Sequence, residues 1–173
     1  MHISVTPDVF KLAQVFTISR GSRTEAKVLT VRVEQDGVTG WGECVPYARY
    51  DETLESVTAE IEGLPADFTR AELQDLLPAG AARNAVDCAL WDLEAKQAGK
   101  PVWELAGLPA PGPEITAYTL SLASPEEMQK QAAENAHRPL LKIKLGTPDD
   151  MPRLEAVRAG APEAKIIIDA NEG

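Results

Sequence analysis

Two lysines, Lys142 and Lys144, alternate with apolar residues in the run Leu140-Leu141-Lys142-Ile143-Lys144-Leu145. Alternation is the period of a β-strand, so both lysines share one face while Leu141, Ile143 and Leu145 take the other. Two ammonium groups aimed into one interior are costly unless an anion sits between them. A lysine beside another cation gives up its proton more readily, and so placed it can serve as a base near neutral pH. A solvated polar face on an edge strand accounts for the same spacing equally well. Further on, Lys165-Ile166-Ile167-Ile168-Asp169 ends in an acid and runs into Ala170-Asn171-Glu172. Acids at the carboxyl ends of buried parallel strands are where barrels and open α/β sheets place catalytic groups. The run Asp-Ala-Asn-Glu offers hard oxygen donors of the kind Mg2+ takes, although one carboxylate alone also suits a helix cap. If the two strands are neighbours, Lys144 and Asp169 end side by side. A lysine beside a metal-held carboxylate is an arrangement for removing a proton alpha to a carboxylate, the metal stabilising the enediolate.

The elements that must position these groups are readable in outline. Residues 1 to about 45 read as strands: Leu29, Val31 and Val33 alternate with Thr30, Arg32 and Glu34, and Asp36-Gly37 is a hairpin turn signal leading into a partner strand over Val38 to Glu43. Residues 52 to 99 read as helices, with Leu54, Val57 and Ile61 on one face, a Thr69-Arg70-Ala71-Glu72 capping box, and a stripe of Val86, Leu90 and Leu93 that ends at Gly99 and Pro101. The Pro- and Gly-rich stretch Gly107 to Pro113 reads as a linker, dividing the chain into domains over 1–110 and 111–173. Beyond it come a strand over Ile115 to Thr119, a helix opened by Ser124-Pro125 with Glu127 closing a capping box, the lysine strand, a helix between Thr147 and Ala159, and the strand ending at Asp169. Strand-helix-strand-helix-strand means parallel βα units. A doubly wound sheet and a (β/α)8 barrel both begin this way, and a complete barrel needs roughly 250 residues.

Bulk properties exclude some partners. With 173 residues and a formal net charge of -10, the chain has no basic surplus to neutralise nucleic-acid phosphates or to dock on an anionic membrane. It has no apolar run long enough to span a bilayer and no signal-peptide pattern, so a cytoplasmic location is expected. Cys44 and Cys88 have no CxxC spacing, and Cys88, in an apolar helical stretch, reads as a buried free thiol. Trp41, Trp91 and Trp103 read as core or packing aromatics. Ala79-Gly80-Ala81-Ala82 lacks the spacing of a phosphate loop.

The segments Arg20-Gly21-Ser22-Arg23-Thr24-Glu25-Ala26, Gly42-Glu43-Cys44-Val45-Pro46-Tyr47-Ala48-Arg49-Tyr50 and Leu77 to Leu93, with Lys-x-Lys and Asp-Ala-Asn, make the resemblance specific. The chain resembles the muconate-lactonising subgroup of the enolase superfamily, and within it the L-Ala-D/L-Glu (dipeptide) epimerases, over essentially its whole length. The resemblance implies an α+β capping domain followed by the first βα units of a (β/α)8 TIM-like barrel, truncated after the third barrel strand. It implies Mg2+-dependent epimerisation of a dipeptide. Lys144 would be the acid/base on one face, Lys142 its support near the substrate carboxylate, and Asp169 the first of three metal carboxylates. Thr119 would contact substrate, and Arg23, otherwise readable as a solvated loop cation, would meet the glutamate side chain. The remaining ligands and the opposite-face lysine would lie past residue 173, so the fragment alone is expected to be inactive, and to form a homo-oligomer or to associate with a complementary C-terminal half. Cycloisomerase, N-acylamino-acid racemase and o-succinylbenzoate synthase activities share the same lysines and acid. A Schiff-base aldolase on a barrel lysine remains a reading from a different class.

Overall fold

A computed structural model describes residues 1–18, 21–145 and 150–170. Arg20, Thr147, Asn171 and Glu172, named above, lie outside the described residues. The chain divides into two compact units: Met1–Phe10 with Ala26–Pro111, and Lys11–Glu25 with Gly112–Gly173.

The first unit is built on a three-stranded sheet in the order β1 (His2–Ile18), β2 (Gly21–Gln35), β3 (Val38–Cys44). Asp36 and Gly37 both take positive φ, 52° and 77°, which a two-residue type I′ hairpin requires. That turn sets the antiparallel register from Gln35↔Val38 to Leu29↔Cys44. Leu29, Val31 and Val33 are buried, as the alternation predicts. Helices follow: α1 (Leu54–Glu62), α2 (Leu73–Leu76), α3 (Ala81–Ala98) and α4 (Val102–Leu105). Val57 and Ile61 of α1, Leu73, and Ala85, Val86, Ala89, Leu90 and Leu93 of α3 close one core with β2.

Gly40 and Gly42 let α3 come down onto β3: a Cβ on Gly40 would collide with the Ala89 carbonyl, and one on Gly42 with the Ala85 carbonyl. The Thr69 capping box forms, with Glu72 N–H donating to Thr69 Oγ1 at 3.2 Å and Thr69 N–H to Glu72 Oε2 at 2.8 Å. The Thr69 N–H first, and the Thr69 hydroxyl donating to Glu72 Oε2 at 2.8 Å second, hold the Glu72 carboxyl below the usual carboxylate range. The helix behind the box is one turn long, because Leu77 is already extended before Pro78.

Three expectations are corrected. Cys88 is exposed and Cys44 is the buried thiol, because position 88 lies outside the arc of α3 that Ala85, Val86, Ala89 and Leu90 turn to the core. Trp41 lies half exposed under the Arg32 guanidinium, 4.9 Å from its ring centroid, and Trp91 is only partly buried, stacked by Arg70 at 3.5 Å. Both are amphipathic rings serving charged partners at the edge of the core.

The second unit carries β4 (Tyr118–Leu120), α5 (Pro125–Glu134), β5 (Leu140–Lys144), α6 (Asp150–Gly160) and β6 (Lys165–Asp169), with a parallel sheet in the order β4-β5-β6. The first strand is shorter than expected: Ile115 is exposed and Ile115 to Ala117 lie outside it. Ser124 caps α5 by accepting from Glu127 N–H at 3.3 Å. At this helix start the Glu126 carboxyl is held below the usual carboxylate range, by its own backbone N–H first and by Ser124 second. Pro152 sits in the first turn of α6, where its missing N–H costs nothing. Leu120, Met128, Ala132, Leu141, Ile143 and Val157 form this unit's core. Among the described residues no helix is long and apolar enough to cross a membrane.

Candidate active site

The candidate site lies on the face of β4-β5-β6 opposite that core. In β5, Leu141 and Ile143 are fully buried toward the helices, while Lys142 and Lys144 point the other way and are partly exposed. Parallel register then orders the rows. Thr119 pairs with Lys142, Lys142 in turn with Ile167, and Lys144 with Asp169. Side chains paired across a parallel ladder share a face, so Thr119, Lys142, Lys144 and Asp169 form one polar patch at the strand ends.

Asp169 is the anion that the two lysines require. Its Oδ2 takes Lys144 Nζ at 2.6 Å and Lys142 Nζ at 2.8 Å. Lys144 is the more enclosed, with 13% of its side chain exposed against 32% for Lys142. The backbone ties the same two strands together, Leu145 N–H donating to the Asp169 carbonyl at 3.0 Å. An amine held against a carboxylate on a partly enclosed face can exchange a proton with a substrate carbon placed above it. The same carboxylate can take a divalent ion only where the two ammonium groups give way to it or lose a proton, since like charges repel.

As a metal donor set this is partial. Asp169 fits as one hard-oxygen ligand of Mg2+, an ion that commonly takes one or two carboxylates and keeps several waters. Among the described residues no group of three His, Cys, Asp or Glu side chains is placed to hold an ion. Arg23 is not drawn into the cluster. It is exposed, two residues into β2, and among the described residues no ion pair joins it to Asp169. Sequence reasoning missed Ser121 and Thr17, which bond to each other in the same unit; two hydroxyl residues far apart in the chain carry no pattern that would have linked them.

The N-terminal domain of the mandelate racemase / muconate lactonizing enzyme family matches residues 1–107. The chain belongs to that family. Along its length it is 43% identical to the L-Ala-D/L-Glu epimerase of Escherichia coli strain K12, over 98% of this chain and 55% of that protein. An enolase family member from Agrobacterium tumefaciens with homology to dipeptide epimerases, solved with sodium and L-Ala-L-Glu bound and an ordered loop, is 58% identical, with a TM-score of 0.93 over 99% of this chain and 54% of that one. The Enterococcus faecalis dipeptide epimerase complexed with Mg and L-Leu-L-Tyr is 28% identical, with a TM-score of 0.86 over 98% of this chain and 52% of that one. The fold is therefore the family's α+β capping domain followed by the first three strands of the enolase-type barrel, and the chain spans about half the length of the curated relatives it matches.

Proposed function

We propose that this chain is the N-terminal half of a Mg2+-dependent dipeptide epimerase of the L-Ala-D/L-Glu type, with residues 1–110 as the capping domain and 111–173 as the start of the barrel. The observation that carries the reading is the Lys142–Asp169–Lys144 cluster at adjacent strand ends, 2.6 and 2.8 Å across, in a chain this similar to an L-Ala-D/L-Glu epimerase.

In this reading Lys144 Nζ removes the alpha proton of the dipeptide's C-terminal residue from one face, the proton that inverts the centre arriving on the other face, and in the reverse direction Lys144 delivers a proton to its own face. Lys142 sits beside the substrate carboxylate and offsets its charge. Thr119, level with Lys142, contacts the substrate, and Arg23 pairs with an acidic side chain at its distal end. Asp169 would hold the metal as one ligand. Bound there, Mg2+ would supply the Lewis acid for charge developing on the substrate carboxylate. A base for the opposite face, and further ligands, would come from the other half of the relatives' length. The 173 residues alone would then be inactive and would associate with a complementary half or with copies of themselves. Two free cysteines with no disulfide between them suit a reducing, cytoplasmic setting.

The test is proton NMR of each epimer in heavy water with a full-length protein. Lys144→Ala abolishes net epimerisation in both directions, a loss on the order of a thousandfold or more. One epimer still exchanges its alpha proton for deuterium without inverting, because the opposite base is intact, and Mg2+ binding survives. Equal residual exchange from both epimers would rule out Lys144 as a face-specific base.

A further inference from the structure

Ser121 is the one buried polar residue among those described, 6% exposed, and the chemistry proposed above does not use it. It follows β4 directly, and strand alternation gives it the face of Thr119. Leu120 pairs with Ile143, so Ser121 stands level with Lys144 and Asp169, in the row where a substrate contact would be sought. Its hydrogen bonds go elsewhere. Ser121 Oγ accepts from the Thr17 N–H at 2.7 Å and donates to the Val15 carbonyl at 3.3 Å. One residue on, the Leu122 N–H donates to the Thr17 carbonyl at 3.1 Å. Three hydrogen bonds thus hold β1 at Val15 and Thr17 against the end of β4. Between the end of β1 and the start of β2, Thr17 Oγ1 and Ser22 Oγ lie 2.9 Å apart, and Ser22 is the neighbour of Arg23.

We propose that Ser121 is a positioning residue whose hydroxyl docks the end of β1 on the end of β4 and thereby, through Thr17 and Ser22, sets where Arg23 at the start of β2 meets the substrate, so that preference for an acidic C-terminal residue depends on it. The proposal rests on the epimerase reading above and adds to it the residue that orients its specificity arginine. The physical basis is an asymmetry. The backbone bond from Leu122 ties the strands at one point and leaves them free to pivot. The two bonds of the Ser121 hydroxyl supply the second and third points, and removing it leaves the partly buried Thr17 N–H without its acceptor.

The experiment uses full-length protein with Mg2+, steady-state kinetics on L-Ala-L-Glu and L-Ala-L-Leu, and hydrogen exchange of the Thr17 amide. Ser121→Ala raises KM for L-Ala-L-Glu about tenfold with kcat within about twofold, leaves L-Ala-L-Leu within about twofold, and speeds Thr17 exchange about tenfold. Ser121→Thr, which keeps the hydroxyl, restores the KM. Placed on Arg23→Ala, Ser121→Ala adds no further loss on L-Ala-L-Glu, the signature of two residues acting as one. Should Ser121→Ala fail to fold, Ser121→Cys, similar in volume and weaker as a hydrogen-bonding group, carries the same comparison with a smaller shift. Equal loss on both dipeptides, or a full additional loss on Arg23→Ala, overturns the proposal. If Arg23→Ala itself does not separate the two dipeptides, it is the specificity reading that fails. The docking then stands or falls on Thr17 exchange, and an unchanged rate in Ser121→Ala overturns it.

Discussion

β2 and β6 are both rich in β-branched residues, and they are covered differently. In β2, Val31 and Val33 are wholly buried, and the alternating Thr30, Arg32 and Glu34 face outward. In β6, Ile167 and Ile168 are 44% and 52% exposed. The difference lies in the pattern. Alternation suits an antiparallel strand with one covered face, whereas an unbroken Ile-Ile-Ile run suits a parallel strand covered on both. β2 lies between two strands and against α3. β6 has β5 on one side and, among the described residues, no strand on the other, and Ile166 and Ile168 line an open groove with Leu154 and Met151 of α6. The first unit completes its core, while the second carries apolar surface that these residues do not cover, consistent with relatives of about twice the length.

The largest effect that would sharpen this contrast is on the two isoleucine- and leucine-bearing strands of the parallel sheet. Leu141→Ala in β5, fully buried, costs about 4 kcal/mol in urea unfolding, and Ile168→Ala in β6 less than about 1 kcal/mol. Comparable costs would mean that β6 is covered in solution and that the contrast is false. Next, Gly42→Ala forces a methyl into the α3 backbone and destabilises the first unit by about 3 kcal/mol. Gly112→Ala, with open space around it, changes the melting temperature little. A third effect is on association. The 173-residue chain alone sediments above its 18.6 kDa mass and shows no epimerase activity. Ile167→Ser with Ile168→Ser weakens its self-association about tenfold. A well-behaved active monomer would break the comparison outright.

The smallest effect separates the cysteines. Burial, with Glu52 and Glu43 nearby, pushes the Cys44 thiol from 9.0 up to about 11. Burial also raises Cys88, which nonetheless lies on the surface. At pH 8.5, iodoacetamide therefore modifies Cys88 on the order of a hundredfold faster than Cys44, read by mass spectrometry. The sign for stability follows. Between pH 9.0 and about 11 the unfolded chain has lost the Cys44 proton and the folded one keeps it, so stability falls as pH rises through that window. Cys44→Ala removes that slope.

What the amino-acid order determined by itself was local. Period-2 spacing put Lys142 and Lys144 on one face, Asp36-Gly37 selected the hairpin turn, and Thr69 with Glu72 formed its reciprocal cap, because each depends on a few neighbouring residues and on backbone geometry. The succession of βα units added the expectation that Lys144 and Asp169 would end side by side, and strand order in the sheet had to supply the contact. Other features belonged to tertiary structure alone. Which face of α3 turned inward decided that Cys88 is exposed. The approach of α3 to β3 gave Gly40 and Gly42 their purpose. Residues 104 positions apart met at Thr17 and Ser121, grouping Lys11–Glu25 with the parallel sheet rather than with the strands on either side in sequence. Short-range rules act through fixed bond geometry, while such distant pairings are selected by the packing free energy of the whole fold, which no window of sequence contains.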